Sequence, residues 1–437
     1  MSPTNPTSRR DFLKLAAISG VALHSSSFAA QLLAAQPVGP GYLTQEGANQ
    51  SLVVIFLRGG ADFMNIVVPY GDPDYPAFRP TLAMNLDAGL IKLDKTFGLH
   101  PAMASLQPLW GAGQLAPIVC AGSMHSTRSH FDAQDWMEFA APGDRTVRQG
   151  WLNRYLAITE PPKAKASDFR ALGMQELLPR SLRGNYPVLA VPRSLTKKKS
   201  SSTLDAFERF YGEGGTDMEG GAAMSGEREA DAAGVVESGR ITIETLRRLQ
   251  EIVAASDKKS ASQSVSGSSY PDSTFANRLK QIALVLKAGE GLEVSGLDYG
   301  GWDDHSQEGT VDGKMATRLR DLSSSLSAFC QDLGPALART TILVMTEFGR
   351  TVKENGNNGT DHGHGSTMLV MGGGVKGGQV HGDWRGLKQD ALYQGRDLAV
   401  TTDFRDVYNA VLENALGFEP PKDFFPGYKP NKMKTLF

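Results

Sequence analysis

Cysteine is nearly absent from this sequence, with two in 437 residues, Cys120 and Cys330. Each follows an apolar stretch, which points to two buried free thiols, with a single disulfide as the alternative. So few thiols also exclude a thiol-rich structural zinc site. Surplus charge of either sign is missing as well, the formal net being -2. Without a basic excess to neutralise phosphates, nucleic acid is not an expected partner. Histidine is scarce too, eight in all, which makes its placement informative. Chain length, apolar residues (41%) and glycine (48) are plentiful. They suit one large α/β domain, or two smaller ones, with many tight turns.

Residues 1–38 read as an export signal and are set aside from the fold. A polar arm leads to Arg9 and Arg10, then to a moderately apolar stretch ending in Ala-rich sequence open to signal peptidase. Ser8-Arg9-Arg10-Asp11-Phe12-Leu13-Lys14 resembles the twin-arginine type. This predicts the twin-arginine translocase as a partner during export and a periplasmic or secreted location. A short basic amphipathic helix on a cytosolic protein is the competing reading. Gly20, His24 and Ser25-Ser26-Ser27 make the stretch a poor permanent membrane anchor. A route that carries folded proteins suits one that takes up a metal before crossing.

Strand, loop and helix signals alternate along the rest. "SLVVIF" from residue 51, ended by Gly59-Gly60, reads as a buried strand with Asp62 and Asn65 in the loop after it. His100-Pro101 starts a helix, and "LAPIVCAGS" (115–123) is a second buried strand followed by a polar turn. "FANRLKQIALVLKAGEG" and "MATRLRDLSSSLSAFCQDLG" are helices, "TTILVM" and "TMLVMGG" are strands, and a weaker strand precedes Gly300-Gly301. Such alternation implies a mainly parallel central sheet with helices on both faces. From about 195 to 275 the composition turns polar and Gly/Ser-rich, which reads as an inserted cap or loop region around a helix such as "SGRITIETLRRLQEIVAA".

Ligands of open parallel sheets bind beyond the carboxyl ends of the strands, so residues following each strand are the candidates. They are Asp62; Ser126, Thr127, Arg128, Ser129 and His130; Asp303, Asp304 and His305; Glu347 and Arg350; and Asp361, His362 and His364. Five of the eight histidines fall in three short loops that also hold acids. Imidazole nitrogen with carboxylate oxygen is the donor set of zinc, and it also serves manganese and iron. Each piece has a plainer reading: Asp62 as a helix cap, Trp302-Asp303-Asp304-His305 as a surface turn, Glu347 bridged to Arg350. His362 and His364 alternate in direction if extended, so both ligate only if the glycines let the loop curl. Residues 372–378 lack the spacing of a phosphate-cradling loop. No Gly-x-Ser-x-Gly elbow surrounds Ser126–His130, which counts against a serine hydrolase built on Ser129 and His130.

At these residues the chain resembles a known group. "LRGGADFMNIVVPY", "STRSHFDAQDWME", "GGWDDHSQ", "TEFGRT", "DHGHGS" and "TTDFRDVY", with the twin-arginine start, look like a large bacterial family of exported proteins of unassigned function. That family is placed in the alkaline phosphatase and sulfatase superfamily. The resemblance implies an alkaline-phosphatase-like α/β fold and one or two divalent ions, zinc or manganese. It implies a serine or threonine nucleophile attacking a phosphate or sulfate ester. Asp62, Asp303 or Asp304 with His305, Glu347, Asp361, His362 and His364 match its ligand positions. Ser126, Thr127 and Ser129 match the nucleophile's place, and Ser129 is favoured because Arg128 adjoins it. Arg128 or Arg350 would hold the anion. Glu347-Phe348 stands where the superfamily has Asp-His, so one histidine is missing unless His362 replaces it. No Cys/Ser-x-Pro-x-Arg occurs in the turn, which argues against formylglycine chemistry. The expected function is an exported metal-dependent hydrolase of such an ester, and the alternative is a non-catalytic, metal-stabilised module that binds a cell-envelope polymer or partner protein.

Overall fold

A computed structural model describes residues 50–161, 169–192, 240–255 and 269–437. The expected signal at 1–38 lies outside the described residues, as does most of the expected insertion; within that insertion, residues 240–255 are helical.

The apolar run after residue 50 forms β1 (Ser51–Arg58), buried along almost its whole length. Side chains alternate across a strand. Val53, Ile55 and Leu57 therefore enter one core, and Leu52, Val54 and Phe56 enter another on the opposite face. The first core is closed by two amphipathic helices, Thr274–Ala288 and Lys314–Leu333. The second is closed by Trp151–Ile158 and Phe404–Ala415. Each fully buried Val, Leu or Ile contributes roughly 1.5–3 kcal/mol, so a strand apolar on both faces has to be covered on both.

The remaining strands are β2 (Val67–Val68), β3 (Ile91–Lys92), β4 (Gly98–Leu99), β5 (Leu115–Gly122), β6 (Ala171–Gly173), β7 (Leu189–Ala190), β8 (Val294–Gly300), β9 (Thr340–Met345), β10 (Ser366–Gly372) and β11 (Thr402–Asp403). Eight form the central sheet in the order β11-β5-β10-β9-β1-β8-β6-β7, while β2, β4 and β3 make a small separate sheet. β1 pairs parallel with β8 and β9, β6 with β7 and β8, and β11 with β5. Within the central sheet, β10 alone runs antiparallel, to both β5 and β9, whereas β2, β4 and β3 pair antiparallel throughout. The expected mainly parallel α/β sheet is the one observed, with one reversed strand inside it.

That reversed strand matters for the site. Because β10 opposes β5 and β9, those two share a direction, and β1 and β8 share it with them. The residues after β1, β5, β8 and β9 and those before β10 consequently emerge at one edge of the sheet. Cys120 and Cys330 are both buried free thiols. Among the described residues no helix is long and apolar enough to cross a membrane.

Candidate metal centre

Four segments deliver imidazoles and carboxylates to this edge. The turn after β5 ends at Ser129, whose extended backbone makes it the N-cap of α1 (His130–Phe139), so His130 is the first residue of that helix. β8 leads to Asp303 and His305, β9 leads to Glu347, and the approach to β10 carries Asp361 and His362. Gly59 lets them come this close. Its φ is +122°, and a Cβ there would stand 2.7 Å from the Asp303 backbone nitrogen, so only glycine fits. Its own N–H donates to Glu347 Oε1 at 2.9 Å.

The Asp303 carboxylate is the centre of the group. His130 Nε2 faces its Oδ2 at 3.5 Å, and His305 Nε2 and His362 Nε2 face its Oδ1 at 3.0 and 3.2 Å. Donor atoms of His130, Asp303 and His362 all lie within 4.8 Å of one another. The two Nε2 atoms of His305 and His362 are 3.0 Å apart.

The opposite nitrogens decide what these atoms can be. His130 Nδ1 donates to Glu347 Oε1 at 2.8 Å, His305 Nδ1 to Asp361 Oδ1 at 3.0 Å, and His362 Nδ1 to the Arg128 carbonyl at 2.8 Å. An ionised carboxylate and a carbonyl only accept, so each Nδ1 carries the proton. In the neutral rings every Nε2 then turns a lone pair toward Asp303, itself an acceptor. His130 Nε2 is buried with no hydrogen-bond partner. Lone pairs converging on a carboxylate repel unless a proton or a metal cation lies among them, and backing each ring with an acceptor is how proteins orient metal-binding histidines.

Charge around the group acts in both directions. The hydrogen bond to Glu347 raises the His130 pKa above its ordinary value despite burial, so a cation there would have to displace a proton. Burial would push the Glu347 carboxyl up, but hydrogen bonds from His130 and Gln134 hold it below the usual range. For Asp303, burial is likewise outweighed by the Arg350 guanidinium, which donates to Oδ1 at 2.6 Å. Burial lowers the His362 pKa, favouring the neutral ligand form. Phe348 packs its ring centroid 4.9 Å from those of both His130 and His362, an apolar neighbour of the group.

Several of the expected residues lie apart from this group or behind it. Asp62 does not reach the group: it caps the turn Phe63–Ile66 and is ion-paired with fully buried Arg79. Asp304 is ion-paired with Arg318. His364 points the other way, its ring stacked on Tyr393 at 4.0 Å, and burial, aided by the Arg128 charge, pushes its pKa down to about 4. Glu347 and Asp361 stand behind His130 and His305 rather than beside them. Arg350 is wholly buried, bonded to the carbonyls of Gly59, Gly60, Thr360 and Trp302 as well as to Asp303, so it is no anion clamp. Arg128 is held by buried Asp397 through Nε at 3.0 Å and Nη2 at 2.5 Å. Ser126 and Ser129 are exposed near the edge, and Thr127 Oγ1 accepts the Ser129 N–H at 3.2 Å.

Of the expected ligands, Asp303, His305 and His362 come together. His130 joins them, although its neighbours had suggested only a base beside a serine. Its signal was its place, first in a helix after a buried strand, opposite an acid that also ends a strand.

A family model described as "Protein of unknown function (DUF1501)" matches residues 49–419, and the chain belongs to that family. No curated protein matches it. Among solved structures it is similar to a protein in the alkaline phosphatase superfamily from Vibrio parahaemolyticus, with 9% identity, 98% of this chain and 81% of that chain covered, and a TM-score of 0.37. It is similar to the C-terminal periplasmic domain of EcEptC from Escherichia coli in complex with Zn (10%; 92% and 96%; 0.35). A third is the PsFucS1 sulfatase from Pseudoalteromonas sp. (11%; 93% and 72%; 0.35). Likenesses this distant say nothing of ligand or reaction.

Proposed function

We propose that this DUF1501 protein is an exported, metal-dependent hydrolase of a phosphate or sulfate ester, its cation held by His130, Asp303 and His362 with His305 beside them. The carrying observation is the convergence of imidazole lone pairs, one of them on a buried nitrogen without a partner, upon one carboxylate. Nitrogen donors with one carboxylate and an open side are the donor set of catalytic zinc. The superfamily-like motifs support the ester class, and the twin-arginine-like start supports a site of action outside the cytoplasm.

A divalent ion there supplies Lewis acidity toward an ester oxygen and lowers the pKa of a hydroxyl or water. The chain's own groups hold the ligands still: Glu347 orients His130, Asp361 orients His305, the Arg128 carbonyl orients His362 and Arg350 orients Asp303. Ser129, exposed and next in sequence to His130, is the candidate for the attacking hydroxyl.

One observation favours the non-catalytic module instead: both arginines expected to grip the anion are engaged within the protein. Elemental analysis of the purified mature protein, with aryl phosphate and aryl sulfate assays run with and without chelator, separates the readings. Bound zinc or manganese and chelator-sensitive hydrolysis are expected. Protein that binds neither metal and stays inactive after supplementation rules out the enzyme, whereas one equivalent of metal without turnover of any ester favours the module.

A further inference from the structure

Two side chains that lost their expected roles share another. His364 carries the stacked ring of Tyr393, and Arg128 grips Asp397. Tyr393 and Asp397 are paired with each other, Tyr393 N–H to Asp397 carbonyl at 2.8 Å and Asp397 N–H to Tyr393 carbonyl at 3.1 Å. Between them lie three residues, Gln394, Gly395 and Arg396, and the first two have positive φ, 54° and 64°, which turns the chain tightly. Arg128 Nη2 also bonds Gln394 Oε1 at 3.0 Å. The hairpin is thus fastened on both sides, and the residue it presents is Arg396.

Arg396 Nη2 donates to the carbonyl of His362 at 3.1 Å, which puts the guanidinium against the metal-binding loop. Its side chain is 43% exposed, and its approach to Asp397, 3.6 Å from Nη1, is longer than a hydrogen bond. Guanidinium has five N–H donors, so donors remain for a ligand. Asp397 Oδ2 already takes two bonds from Arg128, so this buried carboxylate is shared between two guanidiniums. The other acid nearby, Asp361, lies within electrostatic reach of Arg396, but its Oδ1 is hydrogen-bonded to His305 and Asn355.

We infer that Arg396, presented by the Tyr393–Asp397 hairpin, is the anion-recognising residue of this centre, holding the phosphate or sulfate oxygens of a ligand whose remaining oxygens meet the cation. This rests on the function proposed above. It also answers the objection that Arg128 and Arg350 are engaged: they build the scaffold, and Arg396 supplies the charge. A planar fork suits a tetrahedral oxyanion, and a charge-assisted bond of this kind is the strong sort.

The test uses zinc-loaded full-length mature protein, with inorganic phosphate and sulfate titrated calorimetrically and zinc content measured in parallel. Arg396→Gln should keep its zinc and bind phosphate at least about 10-fold more weakly, the loss expected for one charged hydrogen bond. Arg396→Lys, which retains charge without the fork, should fall between. Equal phosphate affinity in Arg396→Gln with zinc retained overturns the inference and leaves the metal-dependent reading intact. Loss of zinc in Arg396→Gln overturns it too, making Arg396 only a support for His362. If zinc-loaded wild type binds neither anion, the ester reading falls and this inference with it.

Discussion

Glu347 Oε1 accepts a hydrogen bond from His130 Nδ1 at 2.8 Å, and this contact settles which nitrogen of the ring faces Asp303. Gln134 and the Gly59 N–H bond the same oxygen at 2.9 Å, so the carboxylate is itself fixed by two other segments. Glu347→Gln retains the shape but not the charge. Zinc affinity, measured by competition with a chromogenic chelator, should fall about 10–100-fold, the usual cost of losing such a partner. An unchanged affinity would remove Glu347 from this role.

His362 and His364 differ in what they face, and phenylalanine separates them. His362→Phe should abolish stoichiometric zinc. His364→Phe preserves an aromatic ring for Tyr393 to stack on and should keep zinc, with stability changed by less than about 1.5 kcal/mol, as for a conservative core exchange. Equal loss of zinc in both would contradict the geometry.

Asp62 and Arg79 form a buried pair that also bonds the carbonyls of Thr351 and Val352. Arg79→Met strands Asp62 in the interior and should cost about 3–5 kcal/mol in urea unfolding. The double variant Arg79→Met with Asp62→Asn should recover part of this loss. Asp62→Asn alone should leave zinc content untouched; a drop in zinc would restore Asp62 as a ligand.

Glu308 lies fully buried beside Asp62, accepting from Asn65 Nδ2 at 3.0 Å and Thr360 Oγ1 at 3.1 Å. Burial, and then the Asp62 charge, raise its pKa well above the ordinary value. A carboxyl whose folded pKa exceeds its unfolded one adds stability that is complete below the unfolded pKa and lost as pH rises through the folded pKa. The metal-free protein should therefore lose stability as pH rises above the ordinary glutamate range, and Glu308→Gln should flatten that slope. Parallel slopes in wild type and variant would show that Glu308 does not titrate this way.

Much of the fold was legible because local patterning and burial agree. "SLVVIF", apolar on both faces, needs a covered strand, and "LAPIVCAGS" and "TTILVM" obey the same rule. They could not reveal the reversal of β10, whose apolar run reads alike in either direction, nor the short strands β2, β3, β4, β6, β7 and β11. At the site, Asp303, His305 and His362 were named from strand ends, and the fold brings them together. Asp62 follows a buried strand and glycines just as Asp303 does, yet Arg79 claims it, a partner that only folding brings alongside.

The amino-acid order by itself determined the layered α/β architecture, since period-two burial and helical stripes are local properties of consecutive residues. It also determined that acids and imidazoles gather at one edge, because loops leave parallel strands there. Tertiary structure alone decided which of them come within reach of one another. A ring nitrogen's role depends on the acceptor behind it, and those acceptors, Glu347 for His130 and the Arg128 carbonyl for His362, lie over two hundred residues away in sequence.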